Sequence, residues 1–131
     1  MKEEAKVALI EAFYEARANG DMKSVRSFLA EGVIWHEPDV GSEHTGDLVG
    51  ADAVAGMISA AQKKTAGTFS LTPKQVVANG EHAVALMDWT ATKGNATLEG
   101  KEVAVFRIRD GKIAEVSFHQ DDIGKDREFW S

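Results

Sequence analysis

Through the first half of the chain apolar residues recur at the i, i+3, i+4 spacing of helices buried on one side, and from Thr68 onward they recur at every second position. Ala5, Ala8, Leu9, Ala12, Phe13 and Ala16 predict a helix over residues 2–18, ended by Asn19-Gly20. Asp21 is placed to cap a second, shorter helix with Val25, Phe28 and Leu29 on its inner side. Glu31-Gly32 breaks it, and residues 33–37 read as a short strand stopped by Pro38. The polar stretch DVGSEHTGDLVG reads as a loop. Helical spacing returns from Ala51 to about Lys64 through Val54, Met57, Ile58 and Ala61.

The alternating half predicts four longer strands. Phe69 and Leu71 open the first, which runs on through Val76 and Val77 to the Asn79-Gly80 turn. Residues 82–92 follow, with Ala83, Ala85, Met87 and Trp89 on one side and Val84, Leu86, Asp88 and Thr90 on the other. After Lys93-Gly94-Asn95, the segment EVAVFRIRDGKIAEVSFHQD reads as a hairpin around Asp110-Gly111, a pair suited to the positive φ angles of a type I′ turn. Unbroken pairing from that turn sets Ile108 against Ile113, Phe106 against Glu115, Ala104 against Ser117 and Glu102 against His119. One face then carries Glu102, Ala104, Phe106, Ile108, Ile113, Glu115, Ser117, His119 and Asp121, and the other is a core face of Val103, Val105, Ala114, Val116 and Phe118 with Arg107. A β-bulge would move some of these residues across. The segment DIGKDREFWS reads as a short tail or helical turn with bulky Phe129 and Trp130. Helices followed by antiparallel strands predict an α+β fold with the helices on one face of a curved sheet and a cone-shaped cavity between them.

Composition narrows the chemistry. The chain has 131 residues and no cysteine, which points to one domain over residues 1–131 and excludes disulfide scaffolds, thiol catalysis and cysteine-bound zinc. Its net charge of −6 comes without a basic block, so no nucleic-acid partner is predicted. The amphipathic, acidic start is unlike a signal peptide and no segment has the length of a membrane span, so a cytoplasmic protein with no membrane partner is expected. No two of His36, His44, His119 and Asp121 have metal-motif spacing, so no metal site is predicted, and His44 reads as solvated.

Element order and local motifs together resemble the nuclear transport factor 2-like superfamily, and within it the SnoaL-like and ketosteroid-isomerase-like proteins. The carrying residues are Ala18-Asn19-Gly20-Asp21-Met22, Val33-Ile34-Trp35-His36-Glu37-Pro38 running into Gly41-Ser42-Glu43, Gly46, Phe106 to Ile113, and Asp121. The resemblance covers nearly the whole chain. It implies a cystatin-like roll, a cone-shaped curved antiparallel sheet wrapped on three N-terminal helices, with an apolar pocket, no obligatory cofactor, and a homodimer formed through the sheet. Glu37-Pro38 matches the proton-shuttling acid of ketosteroid isomerases. Their oxyanion donors match Phe13 and Ala104, neither of which can donate, and Tyr14 lies about 100° further around the helix. Steroid isomerisation by that mechanism is therefore not expected. Asp121 is similar in placement to the carboxylate that SnoaL-like cyclases and limonene epoxide hydrolases use on the last strand. The hydrolases' preceding-strand arginine and aspartate are replaced by Glu102 and Ala104, which argues against epoxide opening.

The candidate catalytic residues are thus Asp121 and His119, with Glu37 or His36 facing them. His36 and Glu37 point to opposite faces of one strand, so at most one of them enters the pocket directly unless Pro38 bends the chain. His119 beside Glu102 and Asp121 forms either a proton shuttle or an ion pair at an exposed sheet end. Asp121 is either an acid/base or a helix cap. Trp35, Phe106, Ala104, Glu102, Trp89, Asp88, Ser117 and Phe13 are the expected ligand-binding residues. The implied activity is cofactor-independent acid/base chemistry, as a lyase, isomerase or cyclase, on a small, partly apolar carbonyl ligand. The alternative is a non-catalytic ligand-binding or dimerisation module.

Overall fold

A computed structural model describes residues 1–37 and 46–130. The expectations for Pro38, Gly41, Ser42, Glu43 and His44 lie outside the described residues. The chain folds as α1 (Glu3–Ala18), α2 (Met22–Phe28), β1 (Leu29–Glu37), β2 (Gly46–Val49), α3 (Ala51–Lys64), β3 (Ser70–Asn79), β4 (His82–Lys93), β5 (Ala96–Arg109), β6 (Lys112–Gln120) and α4 (Ile123–Trp130). One curved, open six-stranded sheet has the order β2-β1-β6-β5-β4-β3. All its pairings are antiparallel except β1 with β6. The architecture is the α+β roll that the pattern predicts.

The helices sit where their signals place them. Asp21 caps α2, its Oδ1 accepting from the Ser24 N–H at 3.1 Å. Helix α1 crosses β3 and β4 and buries Ile10, Phe13, Tyr14, Ala16 and Arg17, a broader arc than its apolar stripe predicts. Phe13, Val25, Val33, Val54, Phe106, Ile113 and Val116 are fully buried at the centre of the main core. No helix among the described residues is long and apolar enough to cross a membrane.

Three elements depart from the sequence reading. β1 begins at Leu29, four residues before the predicted strand, because Leu29 already pairs with Ile113. β2 lies in the stretch that the pattern predicts as loop: its four residues are too few to show a period, and pairing with β1 makes them a strand. The tail forms two turns of helix, α4, because Phe129 and Trp130 bury against Trp89, Ala91 and Phe69 in a second aromatic cluster. In that cluster Gly100 leaves room for the Trp89 indole, since a Cβ there would fall 2.5 Å from Nε1.

The hairpin register is the correction that matters most for function. Asp110 and Gly111 have φ of 53° and 76°, as a type I′ turn requires, and Ile108 pairs with Ile113. Arg107 then pairs with Glu115, leaving Ala114 as an extra residue in a bulge. Beyond it Phe106 faces Val116, Ala104 faces Phe118, Val103 faces His119 and Glu102 faces Gln120. The bulge turns Val116 and Phe118 inward beside Phe106 and sends Glu115, Ser117 and His119 outward. Burying an aromatic and a valine in place of a hydroxyl and a carboxylate favours this register by several kcal/mol, at about 1.5–3 kcal/mol per large apolar side chain. Val103 and Val105, expected on the core face, share the outer face with Val84 and Leu86.

Candidate active site

Five strand and helix positions bring polar groups into the apolar interior. Inward alternation along β1 runs Val33, Trp35, Glu37, and the Trp35 Nε1–H donates to Glu37 Oε2 at 2.6 Å. On β5 the inward series Phe106, Ala104 ends at Glu102, whose Oε1 accepts from Gln120 Nε2 at 2.6 Å. From α1 come Tyr14 and, one turn later, Arg17. The Arg17 guanidinium lies 5.7 Å from the Tyr14 ring, 5.9 Å from Trp35 and 6.0 Å from Phe13, so three aromatic faces cradle the cation. Phe13 and Phe106 pack edge to face at 6.5 Å, and Trp35 lies 4.7 Å from Phe118.

Burial sets the electrostatics. Loss of water pushes the Glu37 carboxyl up to about 7, helped by the Glu102 charge and opposed by the Trp35 N–H and by Arg17. Glu102 is raised for the same first reason, with the Gln120 amide and Arg17 opposing. The Tyr14 phenol is pushed well above its ordinary value by burial and by Glu102, so it stays an O–H donor at any ordinary pH. Asp126 on α4, only 2% exposed, is driven up to about 6 by burial and by Asp121 and Asp122. The Arg17 charge pulls both the Glu37 and the Glu102 carboxyls down, and in each the loss of water outweighs it. Among the described residues, the Tyr14 hydroxyl and Gln120 Oε1 are buried with no hydrogen-bond partner.

Of the four expected catalytic residues only Glu37 enters this interior. His36 points to the outer face, its Nδ1 2.7 Å from Asp47 Oδ1 and its Nε2 2.6 Å from Glu115 Oε2. These carboxylates, Glu115 first, hold the His36 imidazole above its usual pKa. His119 is exposed and stands opposite Val103, with the Ser117 Oγ 3.4 Å away; it does not meet Glu102. Ser117 shares that outer face, opposite Val105. Asp121 is exposed and binds backbone, accepting from the Lys101 N–H at 3.1 Å. Asp88 points outward to Lys101 Nζ at 3.0 Å, and with Asp121 and Glu99 it borders an open outer cleft of about 430 Å³. The expected histidine and carboxylate pair is therefore not assembled in the interior, because Ala114 reverses the facing of β6 beyond it. Trp35, Phe106, Ala104, Phe13 and Glu102 do line the inside, while Trp89 belongs to the second aromatic cluster against α4.

The sequence reading sets Tyr14 aside and names neither Arg17 nor Gln120. Ile10, Tyr14 and Arg17 share helical spacing, and that second stripe beside Phe13 was the available signal. Gln120 had none, since its facing depends on the bulge. Among the described residues no group of three or more histidine, aspartate or glutamate side chains is arranged to hold a metal ion.

The profile of the SnoaL-like domain matches residues 10–116. The chain belongs to the SnoaL-like family. Within the wider nuclear transport factor 2-like superfamily, its structure is similar to Bal32a from a soil-derived mobile gene cassette, with 25% identity, 98% of each chain covered and a TM-score of 0.93. A nuclear transport factor 2-like protein of unknown function from Burkholderia pseudomallei is also 25% identical, over 100% of this chain and 99% of that one, with a TM-score of 0.87. An LEH-like epoxide hydrolase of M. tuberculosis shares the fold at 18% identity, over 96% of this chain and 91% of that one, with a TM-score of 0.79. No curated protein matches this SnoaL-like sequence significantly. The family profile spans α1 to the inward part of β6, so Tyr14, Arg17, Glu37 and Glu102 lie within it and Gln120 lies just beyond.

Proposed function

We propose that this SnoaL-like protein is a cofactor-independent enzyme that moves a proton on a small, partly apolar carbonyl compound, with Glu37 as acid/base. The observation that carries this reading is the Glu37 carboxyl itself, part-buried on the inner side of β1, pushed up to about 7 by loss of water and held by the Trp35 N–H at 2.6 Å. A group titrating near neutrality has both protonation states available, which is what abstraction and return of a proton need. The Tyr14 O–H, buried and unpartnered, is the donor for the oxygen on which charge develops. Phe13, Trp35, Phe106 and Phe118 supply the apolar walls. Lyase, isomerase and cyclase reactions all contain this proton abstraction.

The test follows the common step. Protein is incubated with 1-tetralone in D₂O, and loss of the proton signal α to the carbonyl is followed by NMR. Catalysed exchange that falls by about 100-fold or more in Glu37→Gln is the expected result, the range for loss of a general base. Exchange equal in the variant and the parent, or no faster than in buffer, removes the enzyme reading; saturable binding without exchange favours a carrier. We further propose a homodimer through the outer sheet face, where Val49, Val77 and Leu86 are exposed. Sedimentation at a single mass corresponding to one chain at 100-fold different concentrations would discard that pairing.

A further inference from the structure

Gln120 ends β6 on the inner face, where its Nε2–H₂ donates to Glu102. Its carbonyl oxygen is left buried and without a partner among the described residues, and the Tyr14 hydroxyl is left in the same state. Buried polar atoms are almost always paired, and two orphans on the inner side of the sheet call for a common occupant. The two belong to one neighbourhood: Glu102 bonds Gln120 directly and is the largest charge acting on Tyr14. The third unpaired buried atom, Arg107 Nε, is on the outer face beside Glu115, away from this neighbourhood.

Their chemical demands are complementary. An amide oxygen only accepts, so whatever meets Gln120 brings an O–H or N–H; a phenol held neutral donates, so whatever meets Tyr14 brings an acceptor oxygen. We infer that the site takes a ring compound carrying both a carbonyl and a separate hydroxyl or N–H group, and that Gln120 is the specificity-determining residue that reads the donor. This rests on the reading that the ligand carbonyl lies at Tyr14 and Glu37. A site built to pair a hydroxyl rejects the analogue lacking it far more strongly than an apolar pocket discriminates by size, because the protein's own group is left unpaired.

The experiment measures binding of 1-tetralone and its 4-, 5-, 6- and 7-hydroxy derivatives by calorimetry to the parent protein, Glu37→Gln, Gln120→Met and Gln120→Asn. At least one hydroxytetralone binds the parent about tenfold tighter or better than 1-tetralone. Gln120→Met, and Gln120→Asn with its withdrawn amide, keep the affinity for 1-tetralone and lose the preference. Retained affinity for 1-tetralone certifies that either variant is folded. Equal affinities across the series in the parent, binding by none of the compounds, or a preference that survives both Gln120 changes overturns the inference. Glu37→Gln keeps the preference, since reading the hydroxyl needs no proton transfer. A surviving preference with undiminished proton exchange in Glu37→Gln therefore sinks the catalytic reading alone.

Discussion

Tyr14 and Glu37 carry opposite consequences for stability and function, and each can be separated at the level of one atom. Tyr14→Phe deletes a buried hydroxyl that has no partner, so stability to urea is unchanged or rises by up to about 1 kcal/mol, while α-proton exchange falls. A loss of 2 kcal/mol or more in the urea midpoint analysis would mean that the hydroxyl is already satisfied. On the outer face His36 stands between Asp47 and Glu115, so its NMR titration midpoint lies above 6.5, and Asp47→Asn lowers it. The distinction between His36 and Glu37 was legible in β1 as strict alternation. Which of the two faced inward was not, because that depends on which side of the strand the helices cover.

At the level of elements, the Ala114 bulge and the Trp89–Gly100 contact each decide a surface. Without the bulge, Ser117 and His119 would share the interior with Glu102; with it, Phe118 and Gln120 do. Asp110-Gly111 announces its turn in the sequence through the φ > 0 requirement, whereas a bulged alanine has no residue signature. Gly100→Ala drives a methyl to within 2.5–2.9 Å of the Trp89 indole and has no flexible atom to displace. The variant is expected to lose about 1–3 kcal/mol of stability. It should also lose near-ultraviolet circular dichroism from the Trp89, Phe129 and Trp130 cluster. An unchanged spectrum would show that α4 does not depend on that indole position. Helix α4 itself was legible only as a tail with two unexplained aromatics, because its burial partners, Phe69 and Trp89, lie far away in the chain.

Over the whole molecule, the raised interior carboxyls give stability a definite pH slope. Glu37 in the folded chain holds its proton up to about 7, whereas the unfolded chain releases it near 4.5, so the folded state binds more protons in that interval. Stability therefore declines as pH rises from about 4.5 to about 7, on the order of 3 kcal/mol from this residue, and levels off above. His36 adds a loss of the same sign as pH rises through its raised folded value. Glu37→Gln, which keeps an oxygen for the Trp35 N–H, flattens the main decline and melts at a higher temperature than the parent at pH 8. Equal slopes for the two proteins in thermal unfolding between pH 5 and 8 would show that the Glu37 carboxyl is solvated.

Hydrophobic periods of 3.6 and 2, turn dipeptides and an aspartate cap were enough to determine the helices α1 to α3, the long strands β3 to β6 and the curved α+β roll, because those features act within a few residues of one another. Tertiary structure alone decided that β2 is a strand, that β6 reverses its facing, and that Tyr14, Arg17, Glu37, Glu102 and Gln120 all lie on the inner side of the sheet. Their common facing is a property of the register between distant strands and of how α1 seats on the sheet. Those are selected by total apolar burial, which no local pattern encodes.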